Sequence, residues 1–451
     1  MKLYTPIARY LHFPLTQWIK GEKVAPYLRE LEKSQFYTLK KIQEIQLARL
    51  KKLLLHAGEN IPHYQNLFRN HSVYPESFTT LKDLEKIPCL TKEIILNGPK
   101  LLKTQNFHGR SYACTTSGSS GQPLNFSVTS DYSSWDWASR WRARRWFGVD
   151  IGDRELALWG RPVYNRFNRF FDPVKALFRN TLLLDGFNVS QENLEKYFHI
   201  LVKCQPDYIY GYSNSVYQLA LHIINEHENQ KLPPLKAVFV TAEILYPNQR
   251  QTIENLFDAP VANEYGCSEI GGFAYECPAG NWHVSAENAI VESVSVNGNP
   301  AEFVLTSLTN FQMPFIRYRI GDLGELTDVH CDCGVKLPIL KFNAGKTTDI
   351  IRLKTGRKLT SEIFLYLTRA MVEQNFQMPR KFRIFQKEPD RFLVQYEGDF
   401  ENVSQVEFQR LFLNLLQTSE VIVDFQKVEK LTKDTTGKFR YFISEINHEI
   451  P

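Results

Sequence analysis

The chain has 451 residues, enough for two or three domains, and its 43% hydrophobic and 23% charged residues are ordinary for a soluble globular protein. The net charge of +5 is too small to indicate nucleic-acid binding. Seven cysteines, an odd number in so long a chain, do not indicate a disulfide framework, and no run of about 18 apolar residues predicts a membrane span. Because the N-terminus lacks the apolar core of a signal peptide, we expect a cytoplasmic protein.

The N-terminal segment 4–20 mixes aromatic residues and leucines with Arg9, His12 and Lys20. It can form a helix that lies on a membrane surface, or a helix that packs on the body of the protein. We favour packing and keep peripheral membrane contact as the alternative. Residues 24–60 follow, and apolar residues at helical spacing predict helix over much of this range.

The stretch YACTTSGSSGQPLNF, Tyr112 to Phe126, places a run of Ser, Thr and Gly between two apolar flanks. These residues cannot form a core, but they can turn sharply and present backbone N–H groups and hydroxyls to an anion. Taken alone, the stretch is equally compatible with a solvated hairpin turn.

An alternation typical of α/β architecture comes next. The short apolar segments ELALWG, TLLLDG, YIYGY, AVFVTAE and APVANEYG predict strands, and helical patterns at 215–227 and 246–257 follow two of them. From residue 282 the pattern becomes β, and after Asp349 it shifts to more highly charged helices and strands. We predict a large multi-layer α/β domain over 1–349 and a small α+β domain over 350–451, which the family resemblance described below implies is mobile.

Four later segments carry polar residues where chemistry is expected. They are NEYGCSE (263–269), RYRIGDLGEL (317–326), AGKTTDIIRLKTG (344–356) and TTGKFR (435–440). The first places an aromatic residue, a glycine and a carboxylate at the end of an apolar strand, and ligands of open α/β sheets bind at such strand ends.

These four segments, together with TSGSSGQP at 116–123, resemble the motifs of the adenylate-forming enzymes in their order and spacing. The closer resemblance is to the branch that contains the phenylacetate–CoA ligases and related capsular-polysaccharide biosynthesis proteins. It implies the adenylate-forming fold, with an AMP-binding domain over 1–349.

The resemblance also implies roles for single residues. The Ser/Gly loop would hold the phosphates of ATP, Tyr265 would stack on adenine, and Asp322 would accept hydrogen bonds from the ribose. Glu269 would bind Mg²⁺, a cation that prefers carboxylate and phosphate oxygens. The implied nucleotide-binding residues are Thr116, Ser117, Gly118, Ser119, Ser120, Gly121, Asn263, Tyr265, Gly266, Ser268, Arg317 and Asp322.

The catalytic residues implied by the resemblance are Lys438 and Glu269. In this family the small domain brings such a lysine to the α-phosphate, where its charge would stabilise the transition state. For Lys438 the alternative is an exposed loop lysine, and for Glu269 a solvated carboxylate at a strand end.

Some positions depart from the family pattern. Leu124 stands where many members have lysine, and the hinge motif reads Gly345-Lys346 instead of Gly-Arg. Lysine keeps the charge of arginine but not its bidentate geometry, so the hinge is the part of the resemblance that these departures affect.

Cysteine spacing indicates a possible structural zinc site. Cys277 and His283 are followed by Cys331 and Cys333, and three thiols with one imidazole suit tetrahedral zinc. Cys267 is a competing fourth ligand, and the alternative is a set of buried free thiols beside a surface histidine.

The resemblance therefore implies an ATP-dependent ligase that converts a small-molecule carboxylic acid into acyl-AMP and then transfers the acyl group to coenzyme A. Two alternatives stay open: transfer to an amine or another acceptor in surface-polysaccharide assembly, and a non-catalytic nucleotide-binding scaffold. The chain would act as a monomer or homodimer.

Overall fold

The computed structural model describes most of the chain. The described residues are 4–105, 107–115, 124–159, 180–186, 189–295, 301–327, 329–346, 350–355, 358–360, 363–379, 381–416, 418, 420–432 and 440–446. Three predicted features lie outside them: the Ser/Gly loop at 116–121, Asp349 at the predicted domain boundary, and Lys438.

The helices are α1 (Tyr4–Ile7), a π-helical turn (Ala8–His12), α2 (Phe13–Lys20), α3 (Val24–Ser34), α4 (Leu39–Asn60), α5 (Pro62–Asn70), two 3₁₀ turns (Pro75–Ser77 and Leu81–Lys86), α6 (Lys92–Asn97), α7 (Ser130–Arg145), α8 (Gln191–Cys204), α9 (Ser213–Glu226), α10 (Pro247–Phe257), α11 (Ile363–Glu373) and α12 (Asn402–Leu416).

The strands are β1 (Ser111–Thr115), β2 (Asn125–Thr129), β3 (Glu155–Trp159), β4 (Thr181–Asp185), β5 (Tyr208–Tyr212), β6 (Ala237–Thr241), β7 (Val261–Cys267), β8 (Gly271–Glu276), β9 (Trp282–Val284), β10 (Ala289–Val294), β11 (Glu302–Ser307), β12 (Tyr318–Thr327), β13 (Ile339–Lys346), β14 (Ile350–Arg352), β15 (Lys358–Thr360), β16 (Lys381–Glu388), β17 (Arg391–Glu397), β18 (Ile422–Lys427) and β19 (Phe442–Ser444).

The N-terminal segment forms helices that pack through one face only. Ala8 is buried and the Arg9 side chain donates to the carbonyl oxygen of Ile151, which confirms contact with the body of the protein. The same helices leave six large apolar side chains exposed, namely Ile7, Tyr10, Leu11, Leu15, Trp18 and Ile19. No helix in the described part of the chain is both long and apolar enough to cross a membrane.

The helix predicted over 24–60 is divided in two. Residues 35–38 interrupt it, and the hydroxyl of Thr38 accepts a hydrogen bond from the Lys41 backbone N–H at 3.3 Å, so α4 begins with an N-cap. The apolar periodicity continues across this break, which is why the sequence alone did not locate it.

The large sheet has eleven strands in the order β10-β11-β12-β13-β9-β8-β7-β6-β5-β3-β4. Strands β4, β3, β5, β6 and β7 are parallel, whereas every pairing from β7 to β10 through β8 is antiparallel. β7 is thus the junction between a parallel and an antiparallel half. The five strands predicted from 155 to 266 and the helices after two of them are confirmed, and with them the α/β fold class.

The C-terminal part of the chain has its own sheet, in the order β18-β17-β16-β19, and its own apolar core with α11 and α12. This core meets the rest of the protein at Tyr246, whose ring centroid lies 4.1 Å from that of Tyr441. Gln249 of α10 also hydrogen-bonds the Tyr441 hydroxyl. A smaller C-terminal α+β unit therefore packs on α10.

Helix α7 fixes the sheet to the N-terminal helices through buried arginines. Arg142 and Glu287 are each 1% exposed and pair at 2.8 Å, and a second guanidinium nitrogen of Arg142 donates to the Ser285 hydroxyl at 2.9 Å. Ser34 of α3 donates to the same carboxylate. A buried charge without its partner is strongly destabilising, so this pair ties α3, α7 and the sheet together.

We predict that Glu287→Gln lowers the free energy of unfolding by about 3–5 kcal/mol, because it leaves the Arg142 charge buried without a counter-ion. Urea unfolding followed by the fluorescence of the α7 tryptophans measures this change. The control is Glu44→Gln, which removes an exposed pair with Lys41 and should change stability by less than about 1 kcal/mol. Equal effects of the two substitutions would contradict the assignment.

Candidate active site

The NEYGCSE segment occupies the C-terminal half of the junction strand. β7 pairs in parallel with β6, where Thr241 is opposite Glu264, and antiparallel with β8, where Cys267 is opposite Gly271. A register shift falls between Tyr265 and Gly266. Polar residues thus cluster where the parallel half of the sheet ends, the usual place for ligands in open α/β sheets.

Gly266 allows the tight approach of β8 at this point. A Cβ atom on Gly266 would lie 2.5 Å from the carbonyl oxygen of Gly271, a distance that no side chain can occupy. The glycine of the motif is therefore required by packing, whatever else it does.

Tyr265 and Asp322, predicted to bind adenine and ribose, are brought into direct contact. The Tyr265 hydroxyl donates to Oδ2 of Asp322 at 2.8 Å. Burial raises the pKa of Tyr265 well above its usual value, and the Asp322 charge adds to this effect. The phenol therefore stays protonated at neutral pH and donates to the carboxylate, while its ring packs against Phe273 with centroids 4.7 Å apart.

Glu269 makes a second contact of the same kind with the same strand. The hydroxyl of Tyr318, the first residue of β12, donates to Oε1 of Glu269 at 3.1 Å, and this carboxylate is only 9% exposed. Burial, followed by the Glu269 charge, raises the pKa of Tyr318. Two tyrosine–carboxylate hydrogen bonds thus connect β12 with β7 and with the turn that follows it.

Tyr318 was not assigned a role from the sequence, although it stands inside the quoted segment RYRIGDLGEL. The sequence places Tyr318 four residues before Asp322, and both residues lie on β12. Only the fold shows that the Tyr318 hydroxyl faces Glu269.

Arg317 lies at the start of β12 and anchors a neighbouring segment. Its guanidinium contacts Glu292 at 3.0 Å and donates to the carbonyl oxygen of Ile87 at 2.6 Å. Its backbone has a positive φ of 51°, a conformation that favours glycine, and its carbonyl oxygen accepts from the Leu90 N–H at 2.9 Å. Arg317 therefore holds residues 87–90 beside β12.

The remaining predicted residues of the motif are placed at its two edges. The Asn263 backbone N–H donates to the Glu276 carboxylate at 2.9 Å, and the side chain of Asn263 is half-buried. Ser268 is exposed, and its carbonyl oxygen accepts from the Tyr132 hydroxyl at 3.2 Å.

The hairpin that carries the Ser/Gly loop joins the same core. Thr115 of β1 is opposite Asn125 of β2, so the loop connects these two strands. Phe126 of β2 contacts Phe315 with ring centroids 5.7 Å apart, and Phe315 contacts Tyr318 at 5.2 Å. A continuous series of rings thus runs from the base of the loop to the Glu269 pair.

Asp136 and Arg140, one turn apart on α7, border the site and were not singled out from the sequence. Asp136 accepts from the Gly272 N–H at 2.7 Å, and Arg140 lies 3.6 Å from Glu264 and donates to the Tyr210 hydroxyl at 3.2 Å. These two side chains thus connect α7 with β8 and β7.

The four predicted zinc ligands come together at the end of β8 and in the loop after β12. The Sγ atoms of Cys277 and Cys331 are 3.6 Å apart, and Cys333 Sγ lies 3.2 Å from His283 Nε2. All four ligand atoms lie within 4.8 Å of one another, and Cys267 is not a member of this cluster. His283 contacts the Leu337 carbonyl oxygen through Nδ1 at 3.2 Å, which leaves Nε2 directed to the thiols.

Several known proteins are similar to this chain in sequence. No protein-family model matches the sequence. Protein CapK of Staphylococcus aureus is 26% identical over 286 residues, which are 63% of this chain and 63% of CapK. The phenylacetate–coenzyme A ligase of Aromatoleum evansii is 26% identical over 314 residues, 66% of this chain and 69% of that enzyme. The alignment with CapK thus spans less than two thirds of its length.

Solved structures of a CoA ligase share the fold of this chain. A 2-hydroxyisobutyryl-CoA ligase in its postadenylation state is matched over 92% of both chains with a TM-score of 0.71 and 18% identity. In its thioesterification state the TM-score is 0.56, at 91% coverage of both chains.

The chain thus has the fold of an adenylate-forming CoA ligase and is similar in sequence to phenylacetate–CoA ligases. Its relatives place it in the branch of the phenylacetate–CoA ligases and CapK.

The cysteine cluster fits zinc by donor type and by geometry. Zinc–sulfur bonds of about 2.3 Å in a tetrahedron put sulfur atoms roughly 3.8 Å apart, close to the separation of Cys277 and Cys331. Burial lowers the pKa of His283, which keeps the imidazole neutral as a ligand must be. The four residues would hold a structural ion, because a site with four protein ligands has no open position for a substrate.

We predict that the purified protein contains zinc that Cys331→Ser removes, because this substitution deletes one of four ligands. Elemental analysis of the wild type and the variant measures the loss as about one ion per chain, and a chelator should lower the Tm of the wild type. The control is Cys89→Ser, which removes a half-buried thiol outside the cluster. Equal zinc contents in all three proteins would show that the cluster is a set of free thiols.

Proposed function

We propose that the chain is an ATP-dependent carboxylic acid ligase that forms an acyl-AMP and pyrophosphate and then transfers the acyl group to coenzyme A. The observation that carries the proposal is the pair of hydrogen bonds Tyr265–Asp322 and Tyr318–Glu269. They hold two carboxylates of different predicted roles on one edge of the sheet, beside the hairpin of the Ser/Gly loop.

In the first half-reaction a carboxylate oxygen of the acid attacks the α-phosphorus of ATP, and the bond from this phosphorus to the bridging oxygen of the β-phosphate breaks. The products are acyl-AMP and pyrophosphate, so charge and atoms balance. Glu269 would hold Mg²⁺, which neutralises the phosphate oxygens. Asp322 would accept hydrogen bonds from the ribose, and Tyr265, already donating to Asp322, would fix the orientation of that carboxylate.

Lys438 would supply the positive charge at the α-phosphate. It belongs to the C-terminal unit, which packs on α10 through Tyr246 and Tyr441. A lysine carried by a separate unit can reach the phosphate in one half-reaction and leave in the next. The contact at Tyr246 is one that a rotation of the C-terminal unit would have to break.

The second half-reaction transfers the acyl group to an acceptor and releases AMP. Relatives named phenylacetate–coenzyme A ligase support a thiol acceptor, whereas CapK supports an acceptor used in capsule biosynthesis. A thiol and an amine attack the same acyl carbon and release the same AMP, so the residues around Glu269 and Asp322 serve either acceptor. The acyl pocket would lie near residues 211–215 and Glu243, whose carboxylate accepts from the Asn214 N–H at 3.0 Å.

The test is acid-dependent exchange of labelled pyrophosphate into ATP. Purified protein and Mg·ATP are incubated with pools of aromatic, fatty and sugar acids, without any acceptor. We expect exchange with one pool, and we expect Lys438→Ala to reduce it at least about a hundredfold, because a positioned charge at the transition state is removed. Lys430→Ala, at an exposed position of the same unit, is the matched control and should leave exchange unchanged.

Two outcomes would contradict the proposal. Exchange in Lys438→Ala within about tenfold of the wild type, a barrier change of only about 1.4 kcal/mol, would remove this lysine from the mechanism. Binding of ATP without exchange in any pool would favour the non-catalytic scaffold. Once the acid is known, AMP release with coenzyme A or with amino sugars identifies the acceptor.

A further inference from the structure

A second group of metal-binding side chains lies on α8 and α9, outside the candidate active site. Glu195 and His199 are four residues apart on α8 and therefore share one face of this helix. His222 lies four residues before the end of α9, and His227 is its C-cap. We call these four residues the histidine–glutamate cluster.

The three imidazoles converge on a single carboxylate. The Nε2 atoms of His222 and His227 lie 2.9 and 2.8 Å from the same oxygen of Glu195, and Nε2 of His199 lies 3.0 Å from the other oxygen. The ligand atoms of Glu195, His222 and His227 all lie within 4.8 Å of one another. His199 is not in this group and contacts only the other carboxylate oxygen, so its exposed ring would have to turn toward the ion to complete the site. A tetrahedral zinc ion with bonds of about 2.0–2.2 Å requires separations of roughly 3.3–3.5 Å, so a small opening of these contacts would admit the ion.

The surroundings hold these side chains in place. His222 has only 3% of its side chain exposed and His227 has 16%, and the His227 ring stacks on Phe198 with centroids 3.7 Å apart. Within the described residues no protein atom hydrogen-bonds Nδ1 of His222, so its contact with Glu195 is what orients this ring. The apolar core beneath, which includes Leu194, Phe198 and Ile223, fixes both helices on the sheet.

The charge balance also favours a cation. Glu195 forms ion pairs with histidines alone among the described residues, while the nearby Lys196 is paired with Glu192 at 2.6 Å. Three imidazole nitrogens and one carboxylate oxygen suit zinc and neighbouring transition metals, whereas Mg²⁺ and Ca²⁺ prefer sites made of oxygens.

We propose that Glu195, His199, His222 and His227 form a zinc site that clips the C-terminal end of α9 to α8. The site is remote from the nucleotide residues: α9 begins at the C-terminal end of β5, and His222 is nine residues further on, about 14 Å along the helix axis. Binding there stabilises the helical layer over the parallel half of the sheet and leaves the chemistry at Glu269 and Asp322 unchanged. His199, which has 68% of its side chain exposed, is the ligand through which the ion enters and leaves.

The experiment is a calorimetric titration of the metal-stripped full-length protein with Zn²⁺, repeated with Glu195→Gln and His199→Ala. Both residues are substantially exposed, so these variants are expected to fold. We expect each to weaken one binding event at least about tenfold, since even loss of an outer partner of a metal ligand weakens affinity 10- to 100-fold. Glu192→Gln, at an exposed carboxylate one turn earlier on α8, is the matched control and should bind as the wild type does.

Titration with Co²⁺ separates this site from the cysteine cluster. Cobalt bound by thiolates shows sulfur-to-metal charge-transfer absorption, whereas cobalt bound by nitrogen and oxygen does not. We expect the event lost in Glu195→Gln to lack that absorption, and pyrophosphate exchange to be the same in this variant and the wild type. Identical isotherms for the wild type, Glu195→Gln and His199→Ala would overturn the proposal, as would thiolate absorption for every bound cobalt ion.

Discussion

The candidate site depends on two tyrosine–carboxylate hydrogen bonds, one from β7 and one from the turn after it, to the first half of β12. A carboxylate at the edge of an apolar core is unfavourable unless donors compensate for the water it loses. Tyr265 and Tyr318 provide those donors to Asp322 and Glu269, and burial keeps both phenols protonated. The same bonds set the spacing between a carboxylate suited to a ribose and one suited to a divalent cation.

The scaffold behind these bonds is built from buried charges on α7. Arg144, with only 2% of its side chain exposed, lies 3.3 Å from Glu264, the residue next to Tyr265, and donates to the Tyr208 hydroxyl at 3.0 Å. Arg142 pairs with Glu287 on the other side of the helix. Because each guanidinium is directed to a fixed carboxylate, α7 is held in one register against β7 and β8. The position of the nucleotide residues follows from that register.

The strands of the parallel half of the sheet and the motif residues of the candidate site could be predicted from the sequence, because each depends on a short stretch of the chain. The strands from 155 to 266 are short apolar segments, and the polar motifs follow them directly. Long-range contacts were less accessible. The sequence did not show that Tyr318 faces Glu269, that Arg317 contacts Ile87, or that residues 35–38 divide the N-terminal helix.

The two candidate metal sites show the same difference between short sequence patterns and long-range contacts. Cys331 and Cys333 are close enough in sequence to indicate a site, and their partners follow a recognisable pattern. Glu195 and His222 are separated by 27 residues and a strand, so only the packing of α8 on α9 brings them together. The roles of Lys438 and of the Ser/Gly loop stay predictions from the sequence.

The measurement that tests the central claim most directly is calorimetric binding of Mg·ATP to the wild type and to Asp322→Ala. If Asp322 accepts hydrogen bonds from the ribose, its loss should weaken binding at least about tenfold, since hydrogen bonds to charged groups contribute about 1.5–3 kcal/mol. Asp399→Ala, which removes an aspartate with 86% of its side chain exposed, should bind as the wild type does. Equal affinities for all three folded proteins would contradict the account, because the site would then lie elsewhere.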